Sequence, residues 1–208
     1  MIAAVALIIL SPILLIVMIV LVFTGEHEIF YFQKRVGYKN KSFYIWKFAT
    51  MLKNSVNIGT GAITLRNDPR VTRFGKVLRM TKINELPQII NVLKGDMSIV
   101  GPRPLLQQSF DLYAEEVKER IYNCKPGITG IGSIVFRDEE KILSASSDPK
   151  AMYATIYPYK GALEMWYQQH ISLYTDFSII FLTGWCILFP DSKLMNSFFR
   201  NLPARYSF

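Results

Sequence analysis

The first 23 residues, Met1 to Phe23, contain no charged side chain, and this run constrains the chain more than any other feature. Only Ser11 and Pro12 interrupt its Ile, Leu, Val, Met and Ala residues. A helix of this length, rising ~1.5 Å per residue, matches a hydrocarbon core ~30 Å thick. Pro12 has no N–H and its ring clashes with the preceding turn, while Ser11 can bond back to a carbonyl one turn earlier, so a kink is expected there. Two geometries compete: a kinked span, or a helix that enters one leaflet, bends at Ser11-Pro12 and returns to the same face. Re-entry is favoured, because it rests the basic stretch after Glu28 on anionic head groups, where each Lys or Arg contributes ~1 kcal/mol. A cleaved signal peptide fits poorly, since no basic residue precedes the run and no small-x-small site closes it before Thr24-Gly25-Glu26. The missing basic prefix also suits a chain whose natural start lies upstream.

With 208 residues, the chain has room for one compact domain beside this segment. Its Lys and Arg give a formal net charge of +8, unevenly spread: between Lys34 and Arg103, 14 Lys or Arg face only Asp68, Glu85 and Asp96. Such a stretch needs an anionic partner, and phosphate on lipids, nucleotides or nucleic acid would serve equally. Cys124 and Cys186 have no CxxC spacing and no neighbouring histidine, which argues against a zinc site or a disulfide framework.

Periodicity predicts a mainly helical α+β fold with a few short strands. Residues 29–48 alternate around Gly-Tyr-Lys-Asn as a β-hairpin, with aromatics set among lysines, a half-buried pattern or one lying at head-group level. Val71 to Leu93 reads as helical with Pro87 near the start of a second helix, and 94–98 as a turn. Residues 110–122 read as one amphipathic helix, Cys124 to Arg137 as loop then strand, 138–150 as polar and flexible, and 151–189 as mostly helical. The apolar stretch Phe177 to Phe189 is too short to span, is stopped by Pro190, and should be buried on the domain or in the interface.

The segments FYFQKRVG at 30–37, Lys47-Phe48, NDPRVTRFG at 67–75, ELPQ at 85–88, NVLKGDMSIVGPRP at 91–104 and KPGITG at 125–130, with Tyr167 and Asp176 further on, follow one another in order. Together with the Ser11-Pro12 break they resemble the bacterial sugar transferase family, the monotopic phosphoglycosyl transferases, over nearly the whole chain. The resemblance implies residues 1–28 as a re-entrant membrane helix, 29–190 as a catalytic domain with amphipathic interfacial helices, and 191–208 as a tail. It implies transfer of a sugar-1-phosphate from a nucleotide sugar, expected to be a UDP-sugar, to polyprenyl phosphate. The expected setting is the cytoplasmic face of the bacterial inner membrane, at the start of polysaccharide assembly, with Mg²⁺ as cofactor; a homodimer is allowed for. Arg79, Arg103 and Arg137 match family arginines near the phosphates, and Gly95 and Gly101 would let backbone approach closely.

The family places an Asp-Glu pair at the reacting centre, whereas this chain has Asn84 before Glu85. A carboxamide is a poor nucleophile and a weaker Mg²⁺ ligand than a carboxylate. Three readings stand: Glu85 is itself the nucleophile; the lipid phosphate attacks directly while Glu85 holds the metal and Asn84 orients phosphate; or turnover is lost, leaving a membrane adaptor. The metal ligands are then Glu85 and Asn84. His27 and His170 lack ligand spacing, Asp176 either caps a helix or orients an arginine, and Asp68-Pro69-Arg70 is either a turn salt bridge or part of the donor pocket. No nucleic-acid-binding signature is present.

Overall fold

The computed structural model describes residues 2–58, 61, 63–189, 191–192, 194–199 and 201–204. The apolar N-terminus forms one helix, α1 (Ile2–Phe23), with Pro12 inside it. The missing Pro12 N–H would have bonded the Ile8 carbonyl, and the Ser11 hydroxyl donates to that oxygen instead, at 2.7 Å. The helix has two faces. Leu14, Val17 and Leu21, spaced 3 and 4 apart, are buried with Phe48 and Leu78, while Ile8, Ile9, Ile16 and Phe23 are exposed. Exposed apolar surface on this scale marks contact with lipid or protein rather than water.

The hairpin forms as read, with β1 (Phe30–Val36) antiparallel to β2 (Ser42–Phe48) and Phe30 opposite Phe48. Lys39 and Asn40 take positive φ in the turn. Because side chains alternate, Phe30, Phe32, Trp46 and Phe48 pack together on one face, while Arg35, Ile45 and Lys47 belong to the other. The hairpin end is tied down where the Val36 N–H bonds the Leu105 carbonyl at 2.8 Å.

The helical reading of 71–93 resolves into α2 (Arg73–Met80), a 3-10 segment Ile83–Gln88 that contains Pro87, and α3 (Ile89–Lys94). Thr72 caps α2 through the Gly75 N–H at 3.0 Å, and Gly95, at φ +83°, ends α3 in the expected turn. Next, β3 (Ser98–Val100) pairs in parallel with β4 (Gly127–Thr129). The pair closes so tightly that a Cβ on Gly127 would lie 2.1 Å from the Gly101 nitrogen, so only glycine fits.

Three local expectations are corrected. Residues 110–122 form α4 (Gln107–Phe110) and α5 (Glu115–Arg120) rather than one helix. At ~100° per residue a continuous helix would turn Tyr122 about 120° away from Phe110, whereas the break lets Phe110, Tyr113 and Tyr122 enter the same core. After the loop at Cys124 the strand comes first, as β4, and residues expected to be strand form α6 (Ile131–Val135), with Ile131 and Ile134 buried at helical spacing. The stretch expected to be flexible contains α7 (Glu139–Ser144), held by a Lys160–Glu139 ion pair at 2.6 Å, by Arg79–Glu140 at 2.5 Å and by buried Leu143.

The long α8 (Pro149–Gln169) and α9 (Leu173–Leu188) complete the main core, in which Ile156, Tyr157, Leu163, Ile179 and Leu182 are fully buried. The last apolar stretch divides as its length predicts: Ile179, Leu182 and Cys186 face the core, while Phe177, Phe181 and Leu188 remain exposed. Pro190, expected to stop it, lies outside the described residues. A final turn, α10 (Met195–Phe198), packs Phe198 and Phe199 on the same core.

Candidate active site

Three segments that are remote in sequence converge on one carboxylate. The 3-10 segment carries Asn84 and Glu85, the end of β2 carries Lys47, and the turn after β3 carries Arg103. Glu85 Oε1 accepts from Lys47 Nζ at 2.8 Å and from an Arg103 Nη at 3.0 Å; neither ion pair uses Oε2. The Lys47 and Glu85 side chains are only 15% and 16% exposed, so water screens this pair weakly. Arg35, from β1, donates to the Pro104 carbonyl at 3.3 Å and to Gln33, and lines a small crevice with Lys47, Gln88 and Arg103.

Burial raises the Glu85 carboxyl, but the positive charges of Arg103, Lys47 and Lys82 outweigh it and hold the group well below the usual carboxylate range. Burial also brings Lys47 down to about 8 against the opposing pull of Glu85. Burial, with repulsion from Arg103, brings Arg35 down to about 10. Arg103 moves up, chiefly because Glu85 faces it. Arg103, Lys47 and Lys82 thus act on an ionised carboxylate with Arg35 beside them, an excess of positive charge that suits a polyanionic ligand.

Asn84 is 7% exposed and its Oδ1 is buried without a hydrogen-bond partner. A carboxamide oxygen left bare in such a place costs ~1–3 kcal/mol unless a ligand meets it. An unpartnered oxygen next in sequence to an ionised carboxylate is the kind of donor that a hard divalent cation such as Mg²⁺ takes. Among the described residues no group of three His, Cys, Asp or Glu could hold a metal.

The three expected arginines have different ion-pair partners, and Arg79 and Arg103 both act on Lys82. Arg103 meets Glu85, Arg79 at the end of α2 pairs with Glu140, and Arg137 donates to the Cys186 carbonyl and to Asp138. Asp68 and Arg70 form a buried ion pair at 2.6 Å, with Arg70 also bonded to the carbonyls of Ser55, Ile58, Gly61 and Ile63, which makes this a loop-organising salt bridge. Asp176 accepts from the Tyr167 hydroxyl at 2.8 Å, while Ser172 caps α9. The two histidines bond backbone carbonyls, His27 that of Val22 and His170 that of Trp166.

Sequence reasoning missed Lys47, Arg35 and Lys82 as members of the site. The only trace of the first two was their place in the motif segments at 30–37 and 47–48.

Residues 1–190 match the model of a family described as bacterial sugar transferase. The exopolysaccharide production protein ExoY of Rhizobium meliloti (strain 1021) is 32% identical over 195 residues, which is 87% of this chain and 79% of that protein. The UDP-N-acetylgalactosamine-undecaprenyl-phosphate N-acetylgalactosaminephosphotransferase of Aeromonas hydrophila is 34% identical over 87% of this chain and 40% of its own length. The undecaprenyl-phosphate galactose phosphotransferase of Salmonella typhimurium (strain LT2) is 31% identical over 77% of this chain and 33% of its own. This chain therefore corresponds to a part of the two longer enzymes and to most of the first protein. With its ordered motifs, its apolar first helix and its carboxylate set among cations, the chain belongs to the bacterial sugar transferase family.

Proposed function

We propose that the protein transfers a sugar-1-phosphate from a UDP-sugar to undecaprenyl phosphate at the cytoplasmic face of the bacterial inner membrane. One observation carries this reading: adjacent residues serve opposite environments. Lys47 and Glu85 form the charged site, while their neighbours Phe48 and Leu86 pack into the apolar cluster around α1. A hydrophilic diphosphate and a lipid-borne phosphate can meet only where the two environments are this close. The re-entrant placement is supported by the buried stripe Leu14, Val17 and Leu21 of α1, which packs on the domain, and by the 14 Lys or Arg between positions 34 and 103.

In this reading Arg103, Lys47, Arg35 and Lys82 bind the donor diphosphate, with Arg79 and Arg137 at the periphery. Glu85, ionised, attacks the β-phosphorus through Oε2. The bond from that phosphorus to the bridging oxygen breaks, and UMP leaves with the electron pair. An oxygen of polyprenyl phosphate then attacks the same phosphorus and frees the carboxylate, with no proton to move. Asn84 and Glu85 are the residues that would hold Mg²⁺, which would supply charge neutralisation to the phosphates. A direct attack by the lipid phosphate is the second reading, favoured by the two cations on Oε1, which lower the basicity of Glu85. Isolating protein after mixing with donor labelled in the β-phosphate separates the two, since only the first leaves label on the chain.

The test of the activity is the full chain in detergent with Mg²⁺, undecaprenyl phosphate and a panel of UDP-sugars, read as UMP release. No release with any donor overturns the proposal. Arg103→Ala, which removes a cation aimed at the developing phosphoryl charge, is expected to lower the release rate about 10²-fold.

A further inference from the structure

The acidic run Asp138-Glu139-Glu140, where α7 begins, gives each of its carboxylates to a different cation. Asp138 meets Arg137 at 3.4 Å, Glu139 meets Lys160 of α8 at 2.6 Å, and Glu140 meets Arg79 at the end of α2 at 2.5 Å. These pairs differ in strength. The Lys160 Nζ lies 4.9 to 5.2 Å from the ring centres of Phe136, Tyr153 and Tyr157, and its side chain is 12% exposed. An ammonium boxed in by rings and a carboxylate keeps its partner. The Glu140 and Asp138 side chains are 46% and 63% exposed, so water and other anions compete for the arginines that they hold.

The grip on Arg79 is also incomplete. One guanidinium nitrogen, Nη2, donates to one Glu140 oxygen, while Nη1 is turned to the Met51 sulfur at 4.0 Å. A planar fork that can hold two oxygens therefore holds one. Apart from these charges α7 is lightly fastened: Leu143 is its one buried residue, and the Ser144 hydroxyl accepts from the Arg66 N–H at 2.8 Å.

Two successive turns of chain bring Arg79 beside the carboxylate site. The Lys82 N–H bonds the Arg79 carbonyl at 3.2 Å, and the Glu85 N–H bonds the Lys82 carbonyl at 3.0 Å. Residues 79, 82 and 85 thus follow one another at the spacing of a tight turn, with Lys82 at φ +60° making the bend between α2 and the 3-10 segment. The charges agree with this placement. Desolvation lowers the Lys82 ammonium, and the groups that act on it are Glu85, Arg103, Glu140 and Arg79.

We propose that Glu140 is an internal competitor for the donor phosphates: it occupies the Arg79 guanidinium until a diphosphate takes that guanidinium and frees α7, which stays attached through Glu139 and Lys160. The proposal rests on reading the cluster of Lys47, Arg103 and Lys82 as a diphosphate site.

Charge drives the exchange. A diphosphate carries more negative charge than one carboxylate and offers paired oxygens to the fork, so Arg79 trades a one-pronged partner for a two-pronged one. Glu140 then loses its cation and faces the phosphate charge, and repulsion moves it away. Glu139 does not follow, because Lys160 is held among its three rings. The helix therefore swings about its first residue instead of leaving altogether. Parting Glu140 from Arg79 opposes binding, so the native affinity for a diphosphate is weaker than the cations alone would give.

The experiment uses the full chain in detergent, native and with Glu140→Gln, Arg79→Ala and both together. UDP and inorganic pyrophosphate are titrated by calorimetry, and hydrogen exchange of residues 138–146 is followed by mass spectrometry with and without each. UDP is expected to speed exchange of this segment about threefold or more in the native protein. Glu140→Gln, which keeps the length of the side chain and removes its charge, should bind UDP about fivefold more tightly and exchange fast without it. With Arg79→Ala in place the same substitution should change the affinity less than about twofold, because the contested guanidinium is gone. Equal affinity in native and Glu140→Gln protein, or a tightening that persists without Arg79, overturns the proposal; so does a segment that UDP protects from exchange. If 138–146 loosens with pyrophosphate in a protein that turns over no UDP-sugar, the competitor stands and the transferase reading falls. Binding of neither UDP nor pyrophosphate to any of these proteins overturns both.

Discussion

Glu85→Gln is expected to reduce UMP release by at least about a thousandfold while leaving the fold in place. The substitution keeps the shape of the side chain and removes its charge. Lys47 and Arg103, which now meet Oε1 at 2.8 and 3.0 Å, would face a neutral carboxamide, and the cations of the site would lose the carboxylate that both of these touch. Two consequences oppose each other. The carboxylate no longer attacks or holds a metal, which removes the chemistry; yet a phosphate ligand no longer meets a competing negative charge, so UDP should bind at least as tightly as before. Titration calorimetry with UDP beside the rate measurement reads both. A variant that keeps a tenth of the native rate would show that Glu85 is neither the nucleophile nor the group on which transfer depends. Because its neighbours hold Glu85 ionised to well below the usual carboxylate range, the native rate should not fall through Glu85 between pH 5 and pH 7.

The parts of the molecule that were legible in the sequence are those fixed by local chemistry. Alternation and a Gly-Tyr-Lys-Asn turn suffice for the hairpin, Lys94-Gly95-Asp96 for the stop of α3, and long helical spacing for α8 and α9. What could not be read depends on contacts between distant segments. Residues 131–135 resemble a strand because they are β-branched and glycine-rich, and they become a helix because Gly130 must close on the Gly101 carbonyl, after which Ile131 and Ile134 bury at helical spacing. The polar stretch 138–150 is ordered by ion pairs to Lys160 and Arg79, partners 20 and more residues away. The same holds in the site. Asn84, Glu85 and Arg103 stood out by motif, but Lys47 reaches Glu85 only because the hairpin is fastened to Leu105 at one end and to α3 along its side.

The fastening along the hairpin's side rests on Asn91, and Asn91→Ala is expected to destabilise the protein by about 3–5 kcal/mol. The side chain is wholly buried on α3. Its Oδ1 accepts from the Trp46 N–H at 3.0 Å and its Nδ2 donates to the Tyr44 carbonyl at 2.8 Å, so the amide serves the outer edge of β2 as one more residue of a neighbouring strand would. Nδ2 also lies 3.3 Å from Asp96 Oδ2, while the Asn91 carbonyl bonds the Asp96 N–H at 2.9 Å and would survive the change. Alanine leaves one backbone donor, one backbone acceptor and part of a carboxylate's shell unmet in a region where Ile45 and Phe48 are 2% exposed. For a chain of this size, the loss corresponds to a fall in Tm of about 10 °C, measurable by tryptophan fluorescence in detergent. Asn91→Asp should fare no better, because it sets an acceptor against the Tyr44 carbonyl and a second negative charge beside Asp96. Since β2 also delivers Lys47, both variants should lose UMP release at temperatures well below their own Tm. A shift under 3 °C, with activity retained, would mean that the edge of β2 finds other partners and that the hairpin is held by Leu105 and the α1 cluster alone.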